Sequence, residues 1–73
     1  MNPRLPIVSG AELSKALQQR GFAVVSQKGS QRKLRDGNGR TVIIPIHREV
    51  TPGTLRAIVR QAGLTVEEFV DLL

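Results

Sequence analysis

A chain of 73 residues with no cysteine and one histidine has room for one domain around one core, with neither disulfides nor a thiolate metal site to reinforce it. No apolar run approaches the roughly 20 residues of a membrane span, and Met1 to Gly10 lacks the basic start and apolar stretch of a signal peptide, so a soluble cytoplasmic protein with no membrane partner is expected. Eleven Lys and Arg against six Asp and Glu leave a formal net charge of +5, which favours an acidic partner.

In chain order, Ser9-Gly10-Ala11-Glu12 reads as a capping box, with the Ser9 hydroxyl accepting from the third helical N–H and Glu12 reaching back to the Ser9 N–H. Leu13, Ala16 and Leu17 share one face at helical spacing, and Gly21 is a natural left-handed stop. The pattern predicts a helix over Gly10 to Arg20. Phe22 to Gln27 reads as a strand, with Val24 and Val25 supplying β-branched bulk. Lys28-Gly29-Ser30 reads as a turn and Gln31 to Arg35 as a second strand. Alternation puts Leu34 and Arg32 on one face of that strand and Gln31, Lys33 and Arg35 on the other. Asp36-Gly37-Asn38-Gly39 is a strong hairpin signal. A third strand spans Arg40 to Ile46, in which Pro45, unable to donate to a ladder, marks an edge or an end. Thr51 reads as a cap and Pro52 as the first residue of a second helix, whose stripe of Leu55, Ile58, Val59 and Ala62 is closed by Gly63. Thr65-Val66-Glu67-Glu68 is a second capping box, and Val66, Phe69, Val70 and Leu73 repeat the stripe. The acids Glu67, Glu68 and Asp71 make this last helix a poor surface for a polyanion.

This order predicts an α+β fold, α-β-β-β-α-α, as a single domain over residues 1–73. A three-stranded antiparallel sheet is covered by helices on one face, and Leu34, Val42 or Ile43, Leu55, Ile58 and Phe69 lie in one core. The other sheet face is left open and lined by a basic row. Between positions 28 and 48, Lys28, Arg32, Lys33, Arg35, Arg40 and Arg48 stand against Asp36 alone, a net +5 that equals the charge of the whole chain. Charge concentrated in this way is the footprint of a phosphate-binding surface, although a solvated basic hairpin is the plainer reading of the same residues. The only aromatics, Phe22 and Phe69, sit in apolar patterns and leave no platform for base stacking. Recognition then rests on charge, backbone amides and shape. His47, alone and without a cluster of other ligands, argues against a metal site and is a candidate phosphate contact or substrate-orienting group. Gly29-Ser30 resembles the start of a phosphate-cradling turn. No Walker motif or dinucleotide fingerprint is present, so no cofactor is expected.

Several short pieces recur in a family order: Gly21-Phe22, Lys28-Gly29-Ser30, Pro45-Ile46-His47, Pro52-Gly53-Thr54-Leu55-Arg56-Ala57-Ile58, Gln61-Ala62-Gly63-Leu64 and Glu67-Glu68-Phe69. With these pieces the chain resembles, from about Leu5 to Leu73, the HicA toxins, the mRNA-cleaving halves of HicA–HicB toxin–antitoxin pairs. The resemblance implies a fold similar to double-stranded-RNA-binding domains, a metal-independent mRNA endoribonuclease activity, and a HicB-like antitoxin as partner. In the family pattern the residue after Gly-Ser is the catalytic histidine, and here that position is Gln31. Around it Lys28, Gly29, Ser30, Arg32, Lys33, Arg35, Arg40 and His47 are the expected RNA-binding residues, with Lys28, Arg32 and Lys33 stabilising phosphate charge.

An imidazole titrates near neutral pH, whereas a glutamine amide only hydrogen-bonds. The chain is therefore expected to bind RNA and to cleave it poorly or not at all. Gln31 is then either an inactivating change, made because an active toxin kills its producing host, or a natural variant. Two other classes share the same residues: a non-catalytic RNA-binding module, and a protein-interaction module whose basic face docks an acidic partner.

Overall fold

The structure, a computed structural model, describes residues 5–73. Met1 to Arg4, part of the segment inspected for signal-peptide features, lie outside the described residues. The elements are α1 (Gly10–Gln19), β1 (Ala23–Lys28), β2 (Gln31–Arg35), β3 (Thr41–Pro45), α2 (Pro52–Gln61) and α3 (Val66–Asp71), the expected α-β-β-β-α-α order. No helix among the described residues is long and apolar enough to cross a membrane.

Local chemistry accounts for most element ends. Ser9 Oγ accepts from Glu12 N–H at 3.0 Å, and the Glu12 carboxylate accepts from Ser9 N–H at 2.9 Å. The same reciprocal box links Thr65 and Glu68 at 3.1 and 2.9 Å. These N–H donations, with the cap hydroxyls, hold the carboxyls of Glu12 and Glu68 below their ordinary value, and Arg20 reinforces the effect at Glu68. Thr51 departs from expectation. It precedes Pro52, yet its hydroxyl meets the Thr54 hydroxyl at 3.0 Å and caps no backbone N–H. Proline at the first helical position has no N–H to satisfy and is already set at a helical φ, which leaves the cap less to do. Ser9→Ala should accordingly cost about 1 kcal/mol, and Thr51→Ala only a few tenths, read as shifts in thermal or urea denaturation.

The sheet is antiparallel in the order β1-β2-β3, so β1 and β3 are both edges. Strand β3 ends at Pro45, on an edge, where a residue without an N–H is tolerated. The β2–β3 connection is organised by Asp36, whose carboxylate accepts from Asn38 N–H and Arg40 N–H at 3.0 and 2.7 Å. Burial by its neighbours raises the Asp36 carboxyl. The donations from Arg40 and Asn38 outweigh that burial, and the net shift is downward.

One apolar cluster fills the space under the sheet. It takes Leu13, Ala16 and Leu17 from α1, Leu34 from β2, Val42 and Ile44 from β3, Leu55, Ile58 and Val59 from α2, and Phe69 from α3. All three helices therefore cover the Leu34 face, and Phe22 and Phe69 are both buried. The pairing Leu34↔Val42 settles which residue of the third strand points inward. Val42 and Ile44 are buried, and Ile43, 51 % exposed, lies on the open face. Strand β1 behaves differently from its apolar sequence. Its residues are all exposed, Val24 and Val25 at 46 % and 51 %. Helices α1 and α2 pack against β3 and α3 against α2, and β1 at the far edge extends beyond their cover.

Candidate nucleic-acid interface

The face turned away from the helices is built by cross-strand partners of the outward residues of β2. Lys28 pairs with Gln31, Ser26 with Lys33, and on the other side Pro45, Ile43 and Thr41 pair with Gln31, Lys33 and Arg35. Directly paired residues in an antiparallel sheet project to the same side. Ser26, Lys28, Gln31, Lys33 and Ile43 together line a shallow depression on this face.

A single irregularity makes that arrangement possible. The β1–β2 register shifts between Val24 and Ser26, leaving Val25 as the extra residue of a β-bulge. An inserted residue exchanges inward and outward positions along the remainder of its strand. Without the bulge, Gln27 would face Gln31 and Lys28 would sit in the turn. With it, Lys28 stands beside Gln31 on the open face and Gln27 turns to the helix side beside Arg32. The connection shrinks to Gly29-Ser30. Gly29 takes φ +56° at the first central position and Ser30 keeps a negative φ, the pattern of a type II′ hairpin turn that glycine adopts without steric cost.

The end of the sheet carrying this turn is tied to two other segments. Ile46 N–H donates to Ser30 C=O at 2.6 Å, extending the β2–β3 ladder past Pro45. Gly10 N–H, an otherwise unpaired donor in the first turn of α1, gives its hydrogen to His47 C=O at 2.8 Å, and Val50 N–H donates to Val8 C=O at 2.9 Å. The backbone of His47 is thus anchored while its side chain is exposed, at the same end of the sheet as Gly29, Ser30 and Gln31. Arg48 is next to it on the same exposed loop.

The expected RNA-binding residues therefore divide into groups. Lys28, Gly29, Ser30, Gln31 and Lys33 gather at one end of the open face, with His47 beside them. Arg35 lies farther along that face, its Nε donating to Thr41 Oγ1 at 3.1 Å. Arg40 is at the opposite end. Its guanidinium reaches Asp36 at 3.4 Å, and a Cβ placed on Gly63 would lie 2.8 Å from its Nε, so the side chain rests against the exit of α2. Arg32 turns to the helix side, where Nη1 donates to Ser14 Oγ at 3.1 Å and Nε to Gln27 Oε1 at 2.9 Å. Strand alternation already separates Arg32 from Lys33. A count of charge along the chain merges them, because it does not distinguish sides of a strand. Ser26 and Ile43 were not foreseen at this site. The pairing of Ile43 with Lys33 follows from alternation once Val42 is known to be buried, whereas Ser26 reaches the face only through the bulge.

What the arrangement offers chemically is a cationic surface of two lysines flanking a neutral amide. The Gln31 side chain is exposed and has donors and acceptors to present, but no group that gains or loses a proton near pH 7.

Comparison with known families agrees with this architecture. No curated protein matches the chain. The family described as the HicA toxin of bacterial toxin–antitoxin systems matches residues 10–64, a span that holds the whole sheet, α1 and α2, and every recurrent piece of the sequence except Glu67-Glu68-Phe69. With more than half of its length matched, and with helix, three-stranded sheet and helix inside the match, the chain belongs to the HicA toxin family.

Proposed function

We propose that the chain is a single HicA-type domain whose open sheet face binds messenger RNA in the cytoplasm. Position 31 is then the catalytic position of an endoribonuclease in which glutamine replaces the catalytic group. The observation that carries this reading is the setting of Gln31, exposed on the open face between Lys28 and Lys33 and next to the Gly29-Ser30 turn. With histidine at that position, the reaction is attack of a ribose 2′-OH on the adjacent phosphate, which forms a 2′,3′-cyclic phosphate as the bond to the 5′-oxygen of the next nucleotide breaks. The imidazole takes the 2′-OH proton, the leaving 5′-oxygen takes a proton from the imidazolium or from water, and Lys28 and Lys33 offset the charge that builds on the phosphoryl oxygens. With Gln31 the same face holds RNA and moves no proton. A HicB-like antitoxin is the protein partner, and an acidic one would dock faster on this cationic face.

Glutamine at position 31 favours one further reading, a binding module without catalysis, which needs only the basic face. The two share a first test. Binding of a labelled single-stranded RNA is measured between about 50 and 200 mM salt. The affinity should fall steeply with salt, and Lys28→Gln and Lys33→Gln should each reduce the slope of log K against log salt by about 0.7. Arg40→Gln, at the other end of the sheet, should leave the slope unchanged. An affinity that is flat with salt, or equally sensitive to Arg40 and Lys33, removes the open face as the RNA site.

A further inference from the structure

The only fully buried polar side chain of the described residues is Ser14, on the inner face of α1. Its hydroxyl oxygen accepts from two directions, from Gln18 Nε2 at 3.1 Å and from Arg32 Nη1 at 3.1 Å. The same guanidinium donates through Nε to Gln27 Oε1 at 2.9 Å, and Gln27 Nε2 donates in turn to the carbonyl of Gly29 at 3.0 Å. A continuous chain of hydrogen bonds thus runs from the inside of α1, through β2 and β1, to the backbone of the turn that precedes position 31. Neither ion pair among the described residues involves Arg32. Its charge is held by neutral acceptors on the helix side, while Gln31, Lys33 and Arg35 point to the opposite face of the same strand.

The geometry points to Arg32 as a positioning residue that holds the Gly29-Ser30 turn, and with it position 31, rather than as a phosphate contact. The inference rests on reading the open face as the RNA site. Ile46 N–H holds the Ser30 carbonyl from the β3 side. On the β1 side, where every strand residue is exposed, the Gln27 amide clasping the Gly29 carbonyl supplies the second constraint, and Arg32 orients that amide by occupying its oxygen. The planar fork of arginine reaches acceptors on two different elements at once, Nε toward β1 and Nη1 toward α1, which the single ammonium of lysine does not reproduce. Arg32→Lys therefore keeps the charge and loses the bridge. That separates positioning from phosphate binding.

The test uses the full chain with Arg32→Lys, Arg32→Gln or Ser14→Ala, each also combined with Gln31→His. In the first series, backbone 15N order parameters of Gly29, Ser30 and Gln31 should fall from about 0.85 toward 0.6 or below, while those of Leu34 and Ile44 stay at the rigid level and certify the fold. The salt slope of RNA binding should not change in any of the three. In the Gln31→His background kcat should fall about 10- to 100-fold with KM unchanged, the signature of a misplaced reacting group. The inference is overturned by turn order parameters that stay at the level of the flanking strands. It is equally overturned by a salt slope that drops by about 0.7 in Arg32→Gln and is restored in Arg32→Lys. If Gln31→His does not cleave, or RNA does not bind, the functional reading fails by itself, and the order parameters still decide the role of Arg32.

Discussion

Gln31→His should turn a chain that leaves RNA intact into one that cleaves it, with a gain of about 10²–10⁴ in rate, the usual worth of a positioned general acid or base. The substitution asks little of the fold. Gln31 is exposed, its side chain lies over an open face, and its cross-strand partners are the exposed Lys28 and the half-buried Pro45. Melting should therefore be unchanged, which separates a chemical effect from a structural one. With an imidazole acting as base, the cleavage rate should rise with pH through the range in which imidazole gives up its proton and then level off. The assay is gel analysis of a mixed messenger RNA in EDTA, with both variants at equal concentration, together with growth of cells expressing each. Strong cleavage by the Gln31 chain would transfer the chemistry to another group, and His47, exposed at the same end of the sheet, is the one to substitute next. A folded Gln31→His chain that cleaves nothing would leave the binding module as the better reading.

Much of this site was legible in the sequence because its determinants are local. The two capping boxes, the Asp36-Gly37-Asn38-Gly39 hairpin and the stripes of α1 and α2 each depend on residues within a few positions of one another, and each appears in the structure. So does the outward row Gln31, Lys33 and Arg35, since alternation within one strand needs no knowledge of the rest of the chain. Of the stripe expected in α3, by contrast, only Phe69 is buried, and Val70 and Leu73 are exposed. What escaped depends on partners distant in sequence. Val24 and Val25 have the residue types of a core strand, but burial is granted by covering helices, and α1 and α2 lie over β3. The bulge at Val25 has no signature in its own residues, yet it decides that Lys28 rather than Gln27 stands beside Gln31. Arg32 and Arg40 counted toward one basic cluster, and tertiary contacts send the first to Ser14 and the second to the exit of α2. Gly10 shows the limit most sharply. At sequence level it is an indifferent first residue of a helix, and only the fold reveals what crosses it.

The sign of glycine-to-alanine substitution in the first turn should differ between two helices of this chain. Gly10 and Gly53 both lie in such a turn, neither takes a positive φ, and alanine is intrinsically the better helix former by up to about 1 kcal/mol. Around Gly53 a Cβ would meet nothing within 4 Å, so Gly53→Ala should be neutral or raise stability by a few tenths to about 1 kcal/mol, partly by restricting the unfolded chain. Around Gly10 the same Cβ would overlap the Pro45 carbonyl oxygen and lie 2.6 Å from Ile46 Cα. Both obstacles are backbone, so no rotamer change relieves them, and either α1 or the end of β3 must move. Overpacking of this kind costs about 1–3 kcal/mol and occasionally more. That exceeds the propensity gain and is a large part of the roughly 4–11 kcal/mol expected for a domain of this length. Gly10→Ala should therefore be destabilising by about 1–2 kcal/mol in urea denaturation. The damage should also be directional. The displaced segment carries the Ile46 N–H that donates to Ser30 and the His47 carbonyl that accepts from Gly10, so protection of the Ile46 amide from hydrogen exchange should fall well before that of Leu34 in the centre of β2. A Gly10→Ala chain as stable as the parent, with Ile46 still protected, would show that α1 can be displaced from the sheet end without cost. The close crossing of Gly10 over Pro45 would then not be what sets the position of α1 or of the turn it steadies.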